Sequence, residues 1–559
     1  MLPRATRSLV LTVTSAAILL AGWPAAAHTS PAGARERRTP ALAPTPADAL
    51  TRALRTDRIT AERYALERAR SLFDLGGVRV RFGSVARPDP RSATLLLRDL
   101  ALRVDRLRGR DRTAALRILA RPTDGLIGDP DRYSVAEQPP LCSTHTCVHY
   151  VGSTADAPPL ADTTGGPEPD HVEAVSAVVE EVWAAEVVGL GYRAPKSDLS
   201  SENDGGSALL DVYLLDIGGD GLYGYCTSDD PHLQSSYPHW DMSAYCVLDD
   251  DYAVAQFGYA DPMDPLRVTA AHELFHAVHF AYDVGEDAWL LESTATWIED
   301  VVYDDIDDNL QYLGASPLAQ PLIPLDKSSS PRFYGVWIFW RFLTEYVGGS
   351  SPDPSIVRAV WKRADGAANG PNMYSTQALA AAVHARTIDG TAWRLRWAFA
   401  DFAVWNARPQ RFYDEGAQYP KATVAKTATL TKTSPSNVST AKLDHLTNRF
   451  VVVRRGGGLP AGARLRVRVD GPPSGQGPEA SLLVIRTSGA SFVRSIALDD
   501  AGKGSARVVF DTTVSRVVVI VTNASVRYTD CYWDLTPYAC FGGRPVDENR
   551  VFTFRAAVV

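Results

Sequence analysis

His272, Glu273 and His276 stand in H-E-x-x-H spacing within residues 269–281. On an α-helix of 3.6 residues per turn, side chains four apart lie one above the other, so both imidazoles can reach one metal ion from a single face. Glu273 then lies beside the ion and not on it. There a carboxylate can take a proton from water that the ion polarises, which is why the spacing marks zinc hydrolases. Val268, Ala271, Phe275, Val278 and Ala281 flank the motif and would bury the helix; the competing reading is a chance match on an ordinary core helix. Glu292 follows His276 by sixteen residues and supplies the third ligand that catalytic zinc, commonly held by two His and one Glu, would need. His279 shares the helical face, but its rise of about 10.5 Å from His272 keeps three imidazoles from converging, so it is expected to line or support the site. Glu299, seven residues beyond Glu292, is either the carboxylate ligand itself or an acceptor for a ligand His.

These residues need rigid elements to hold them. The run WLLESTATWIED at 289–300 reads as the helix carrying Glu292, and 333–343 as an aromatic, mostly core helix carrying Tyr334. Tyr334 is a candidate donor to the oxyanion of a tetrahedral intermediate, the alternative being a packed Tyr. Residues 209–216 (LLDVYLLD) alternate as a strand, and 244–248 read as a second strand, expected at the sheet edge where an extended substrate could pair. Helices are expected at 172–188, 355–363, 376–386 and 391–406.

Three motifs carry a resemblance: HELFHAVHF at 272–280, ESTATWIED at 292–300, and Tyr334-Gly335 ahead of Ile338-Phe339-Trp340. Together they resemble the secreted bacterial metallopeptidases of the gluzincin type, over roughly residues 140–410. The resemblance implies a zincin-like domain, with an α-rich lower half, a β-rich upper half and a cleft between them. It also places Glu292 where the family's zinc Glu precedes Gly-x-Ala. Ser293 stands where Gly is usual and His279 where Gln is usual; neither departure touches a ligand, so they bear on peptide specificity more than on metal binding. A family loop that suggests calcium has its counterpart in DTTGGPEPDHVE at 162–173, without the family's Asn. Asp162, Asp170 and Glu173 are therefore candidates for Ca2+, the alternative being acids capping a helix N-terminus.

The chain begins with Arg4 and Arg7, an apolar run at 9–21 and Ala25-Ala26-Ala27, the pattern of a signal peptide over 1–27. Residues 28–47 are rich in Pro, Ala, Thr and Arg and read as a disordered spacer. Residues 48–121 read as an N-terminal helical segment, either a pro-segment that chaperones folding or covers the cleft, or a permanent domain. Residues 122–426 are expected to form the zincin-like domain, and 427–559, with short strands between Gly, Pro and Asp turns, a β-sandwich appendage. The fold class expected is thus α+β. The net charge of −8 and lack of a basic tract exclude nucleic acid as a partner, and no later apolar stretch spans a bilayer, so an exported protein is expected.

The function expected is an exported zinc endopeptidase acting on protein or peptide substrates, with Glu273 as general base. Two alternatives share its residues: a secreted binding protein that keeps the fold without catalysis, and a zinc hydrolase of small esters or amides. The six cysteines form three close pairs, Cys142 with Cys147, Cys226 with Cys246 and Cys531 with Cys540, and an exported chain favours disulfides over a zinc-bound latency Cys at 142 or 147. Thiol titration of the unfolded mature chain should find no free Cys; two or more would overturn the three-bridge reading.

Overall fold

The computed structural model describes residues 48–125, 129–201, 203–230, 239–349, 351–529 and 544–559. The expected signal peptide, the spacer and the Cys531–Cys540 pair lie outside the described residues. The chain is mixed α/β and opens with five helices, α1 Ala49–Arg55, α2 Ala61–Phe73, α3 Leu75–Phe82, α4 Ala93–Ala101 and α5 Gly109–Ile118. Thr60 caps α2 by accepting the Arg63 N–H at 3.2 Å, satisfying a donor that the first turn leaves open.

A five-stranded sheet follows: β1 Leu141–Cys142, β2 Thr146–His149, β3 Leu210–Leu215, β4 Gly224–Thr227 and β5 Tyr245–Asp249, in the order β1-β2-β3-β5-β4. The central strands are parallel, and β1 and β4 run antiparallel at the edges. The expected edge strand is therefore misplaced: the 244–248 segment becomes β5 inside the sheet, and the edge is β4. Disulfides Cys142–Cys147 and Cys226–Cys246 join directly opposed residues on each edge pair, compatible with an oxidising compartment. No described helix is long and apolar enough to cross a membrane.

The sheet is buried on both faces, because side chains alternate along a strand. Val212 and Leu214 point into a core shared with α6 (Asp170–Trp183) and with α8 (Met263–Asp283), the helix that follows the short α7 (Val254–Phe257). Tyr213 and Leu215 point the other way, against Leu66, Leu97 and Leu100 of α2 and α4. The expected boundary at 121/122 is thus crossed by one continuous core, and the N-terminal helices are the second cover of the sheet. At that boundary the buried Arg121 donates to Asp198 and Asp229, each at 2.7 Å, and to Asp211, which also meets His149 Nε2 at 3.0 Å.

Below α8 lie α9 Ala288–Val302, α10 Trp337–Gly348, α11 Ser355–Ala364, α12 Ser375–His384, the hairpin β6 Thr387–Ile388 with β7 Thr391–Ala392, α13 Leu395–Asn406 and α14 Pro409–Phe412. Their core is aromatic, built on Trp289, Trp297, Trp340, Trp361 and Trp393. Residues 268–283 of α8 are all buried, since Leu274 and Ala277 face the sheet and Phe275 and Val278 face this lower core. A helix with apolar residues on opposite sides belongs in the interior.

The strands β8 Val424–Leu430, β9 Ser436–Leu443, β10 Thr447–Arg455, β11 Arg464–Asp470, β12 Pro478–Arg486, β13 Ser491–Ser495, β14 Lys503–Val509, β15 Val514–Asn523 and β16 Arg550–Val558 form two sheets, β13-β12-β15-β10-β8 and β14-β11-β16-β9. The first packs its outer face on α13, with Phe450, Leu483, Val518 and Ile520 against Ala403 and Val404.

Arg121→Met keeps the apolar stem but leaves Asp198 and Asp211 buried without their cation, which should cost about 3–5 kcal/mol of stability. Urea unfolding would measure it; a change under about 0.5 kcal/mol, the scale of an ordinary surface substitution, would mean that the cluster does not tie helix to sheet.

Candidate metal centre

Helix α8 presents His272 and His276 one turn apart, and α9 brings Glu292 against them. The three ligand atoms form a small triangle: His272 Nε2 to His276 Nε2 is 3.1 Å, His272 Nε2 to Glu292 Oε2 is 3.2 Å, and His276 Nε2 to Glu292 Oε2 is 3.7 Å. An ion bound tetrahedrally at about 2.0–2.1 Å from each donor would separate the donors by about 3.4 Å. The residues therefore fit zinc in size and chemistry. Two further observations agree: imidazole nitrogens facing each other at 3.1 Å need a proton or a cation between them, and Glu292 Oε1 is buried without a hydrogen-bond partner.

The opposite nitrogen of each His is held. Glu299 Oε1 lies 2.6 Å from His272 Nδ1, so an Nδ1–H donated to it leaves Nε2 for the metal. Glu292 and Glu299 are two turns apart on one face of α9 and so reach the two sides of one imidazole. For His276 the chain of bonds is longer. Thr294 donates its hydroxyl to Leu290 O at 2.7 Å and accepts from Trp361 Nε1 at 3.3 Å, leaving an oxygen lone pair for His279 Nε2–H at 3.1 Å. His279 Nδ1 is then an acceptor, and His276 Nδ1 lies 3.3 Å from it. Each ligand His, once neutral, is thus held in the tautomer that offers its Nε2 lone pair. Ser293 accepts Trp340 Nε1 at 2.8 Å and ties α9 to α10, a use for the side chain where the resemblance has Gly.

Charge follows from burial and neighbours. Burial would lower the His272 pKa, but the bonds to Glu292 and Glu299 outweigh it and hold the imidazole well above its ordinary value. Burial would raise Glu292; the His276 charge and the His272 bond hold it at about 2. His279 is kept neutral, well below its ordinary value, by burial and by the two neighbouring imidazoles. Burial raises Glu273, while His276 and His272 act against it.

Glu273 has a partner that the sequence did not announce. Thr94 of α4 donates to its Oε2 at 2.9 Å and accepts the Cys226 N–H of the edge strand, also at 2.9 Å. Edge strand and metal helix approach closely because residue 224 is Gly, where a Cβ would come within 2.9 Å of Thr269 Cγ2. Arg91, Tyr223, Asp308, Tyr312 and Tyr334 line the same pocket as His272 and Glu273, which leaves a cavity of about 40 Å³, about the room of one water. Tyr334 is buried and stacks on Tyr312 at 4.8 Å between ring centres.

Among the described residues two other groups could gather three metal donors: Asp216, Asp249 and Asp250, and Asp300, Asp304 and Glu415. Asp249 is spent on the Gly218 and Tyr252 N–H groups at 2.6 and 2.7 Å, and Asp300 on Arg341 at 2.7 Å. The calcium candidates form no such group. Asp170 accepts from the Thr163 and Thr164 backbones at 3.0 and 3.1 Å and from both hydroxyls, and Asp162 accepts from Gly165 N–H at 2.7 Å, so these two acids shape the turn into α6.

No family model matches the chain, and no curated protein matches it. Among solved structures it is similar to a periplasmic inhibitor of g-type lysozyme, PliG of Aeromonas hydrophila, at 12% identity over 24% of this chain and 98% of that one, with a TM-score of 0.14. A likeness so slight carries no argument about fold or function.

The bonds to Glu292 and Glu299 raise the proton affinity of His272, and zinc needs the same lone pair. Zinc binding should therefore release protons at neutral pH, with affinity rising as pH rises. Calorimetry in two buffers of different ionisation enthalpy measures the release; zinc binding without any would contradict the site's assignment.

Proposed function

We propose that the protein is an exported zinc-dependent endopeptidase of the gluzincin type, with His272, His276 and Glu292 as ligands and Glu273 as general base. The observation that carries the reading is the three-donor triangle, with a carboxylate that binds none of its positions next in sequence on the same buried helix. Three protein donors leave a coordination position for substrate or water, whereas a structural zinc is commonly closed by four. A sheet above the metal helix and a helical half below it support the reading of a zincin-like plan, which the resemblance implies. Two disulfides and no described membrane span accord with export.

Zinc, when bound, supplies a Lewis acid that polarises the scissile carbonyl and makes water a stronger acid. The rest falls to side chains. Glu299 and the His279–Thr294 chain hold the ligand imidazoles in orientation. Glu273, buried on the metal helix and oriented by the Thr94 hydroxyl at 2.9 Å, takes the water proton and passes it to the leaving amine. The Tyr334 hydroxyl, in the same pocket as His272 and Glu273, donates to the oxyanion that develops on the substrate carbonyl.

The filled pocket favours a second reading, a binding protein that keeps the metal site without turnover, and one substitution separates the two. Glu273→Gln preserves shape and hydrogen-bonding reach while deleting basicity. Zinc content and melting temperature should stay near wild type while peptide hydrolysis falls about 10²- to 10⁴-fold. Equal turnover by both proteins would rule out Glu273 as base. Zinc-loaded wild type that cleaves nothing in a broad peptide library would favour the binding protein.

A further inference from the structure

The pocket beside the metal centre contains a guanidinium that belongs to the chain itself. Arg91 lies in the 3-10 turn Pro90–Ser92 that leads into α4. Its guanidinium carbon is 5.6 Å from the ring centre of Tyr223 and 5.4 Å from that of Tyr312. Tyr223 belongs to the segment just before edge strand β4, and Tyr312 stacks on Tyr334. Asp308 lines the same pocket, is oriented by the Tyr259 hydroxyl and by Gln311 Nε2 at 2.8 Å, and feels the Arg91 charge.

Two aromatic faces carry negative potential and a carboxylate adds a full charge, so this is a receptor for a cation. A planar, weakly hydrated guanidinium suits it better than an ammonium does, because it can stack on both rings. The turn that delivers Arg91 is fastened at both ends: Ser330 bonds Asp89, and Thr94 bonds Glu273 and the edge-strand N–H of Cys226. Arg91 is thereby presented at the wall of the cleft where a substrate side chain would enter, next to His272 and Glu273.

We propose that the space between Tyr223 and Tyr312, closed by Asp308, is a side-chain subsite for arginine, and that Arg91 occupies it as a resident surrogate. As a substrate class this names peptides with an arginine close to the scissile bond. That part rests on the hydrolase reading, whereas the cation site does not. The N-terminal helices are half of the sheet's cover, with Leu66, Leu97 and Leu100 packed on Tyr213 and Leu215. The subsite accordingly empties by withdrawal of the partly exposed Arg91 side chain, not by loss of the segment.

The test uses the full chain and a ligand with no bond to cleave. Arg91→Ala should bind Nα-acetyl-arginine amide about tenfold more tightly than wild type does, since the internal competitor is gone. Nα-acetyl-leucine amide should gain nothing, and Asp308→Asn in the Arg91→Ala background should weaken the arginine ligand. Calorimetry reads binding, and far-ultraviolet circular dichroism checks folding; Arg91→Met, which keeps the stem, is the second variant if Arg91→Ala fails to fold. No gain for the arginine ligand, or an equal gain for leucine, overturns the subsite. So does tighter binding of Nα-acetyl-glutamate amide by wild type than by the variant, because Arg91 would then be an anion receptor. If the variant binds arginine amide but, loaded with zinc, cleaves no arginine peptide, the subsite stands and the hydrolase reading fails.

Discussion

The bond between His272 and Glu299, 2.6 Å long and buried, is the constraint on which the rest of the centre depends. It commits one imidazole nitrogen to α9 and so turns the other toward His276 and Glu292. Three carboxylates, Glu273, Glu292 and Glu299, are buried around two imidazoles, a charge imbalance that costs free energy unless protons or a cation offset it. Without metal, the offset is shared: the bonds to Glu292 and Glu299 raise the proton affinity of His272, and burial raises that of Glu299, to about 8, and of Glu273. With a divalent ion in place the protons become unnecessary, and the same groups form a ligand set with oriented supports. Proton binding and metal binding therefore compete for one site.

Holding so many charges in the interior requires rigid walls. Helix α8 is buried along its motif because it lies between two cores, the sheet above and the tryptophan-rich helices below. The ligand helix α9 is fixed by bonds to the lower core, from Trp340 to Ser293 and from Trp361 to Thr294. Above, the N-terminal helices press the sheet from its far side and, through Thr94, reach the edge strand and Glu273 at once. Packing and chemistry meet in that one hydroxyl.

The parts of the centre that lie on one helix were legible from residue types. His272, Glu273 and His276 follow from helical periodicity alone, and Glu292 and Glu299, two turns apart, announce a shared face. The rise along the helix makes His279 a supporting residue, but its link through Thr294 depends on the neighbouring helix. Thr94 and Arg91 were out of reach: each sits in a stretch with no His or Cys, and their positions come from the packing of α4 on the edge strand, a long-range contact that no local pattern encodes. The edge strand itself was misread for a related reason. Residues 244–248 and 224–227 are both short and buried, and only the order of pairing decides which lies outside. At 121/122 the linker-like composition after residue 121 hides a core that runs across it, fastened by Arg121.

The central claim is that one zinc ion sits among His272, His276 and Glu292. The most direct measurement is an anomalous difference map from a zinc-soaked crystal of the mature protein, recorded on both sides of the zinc absorption edge. The account predicts one strong peak per chain, about 2.0–2.2 Å from His272 Nε2, His276 Nε2 and a Glu292 carboxylate oxygen. No peak there, or the only peak among Asp216, Asp249 and Asp250, would contradict it.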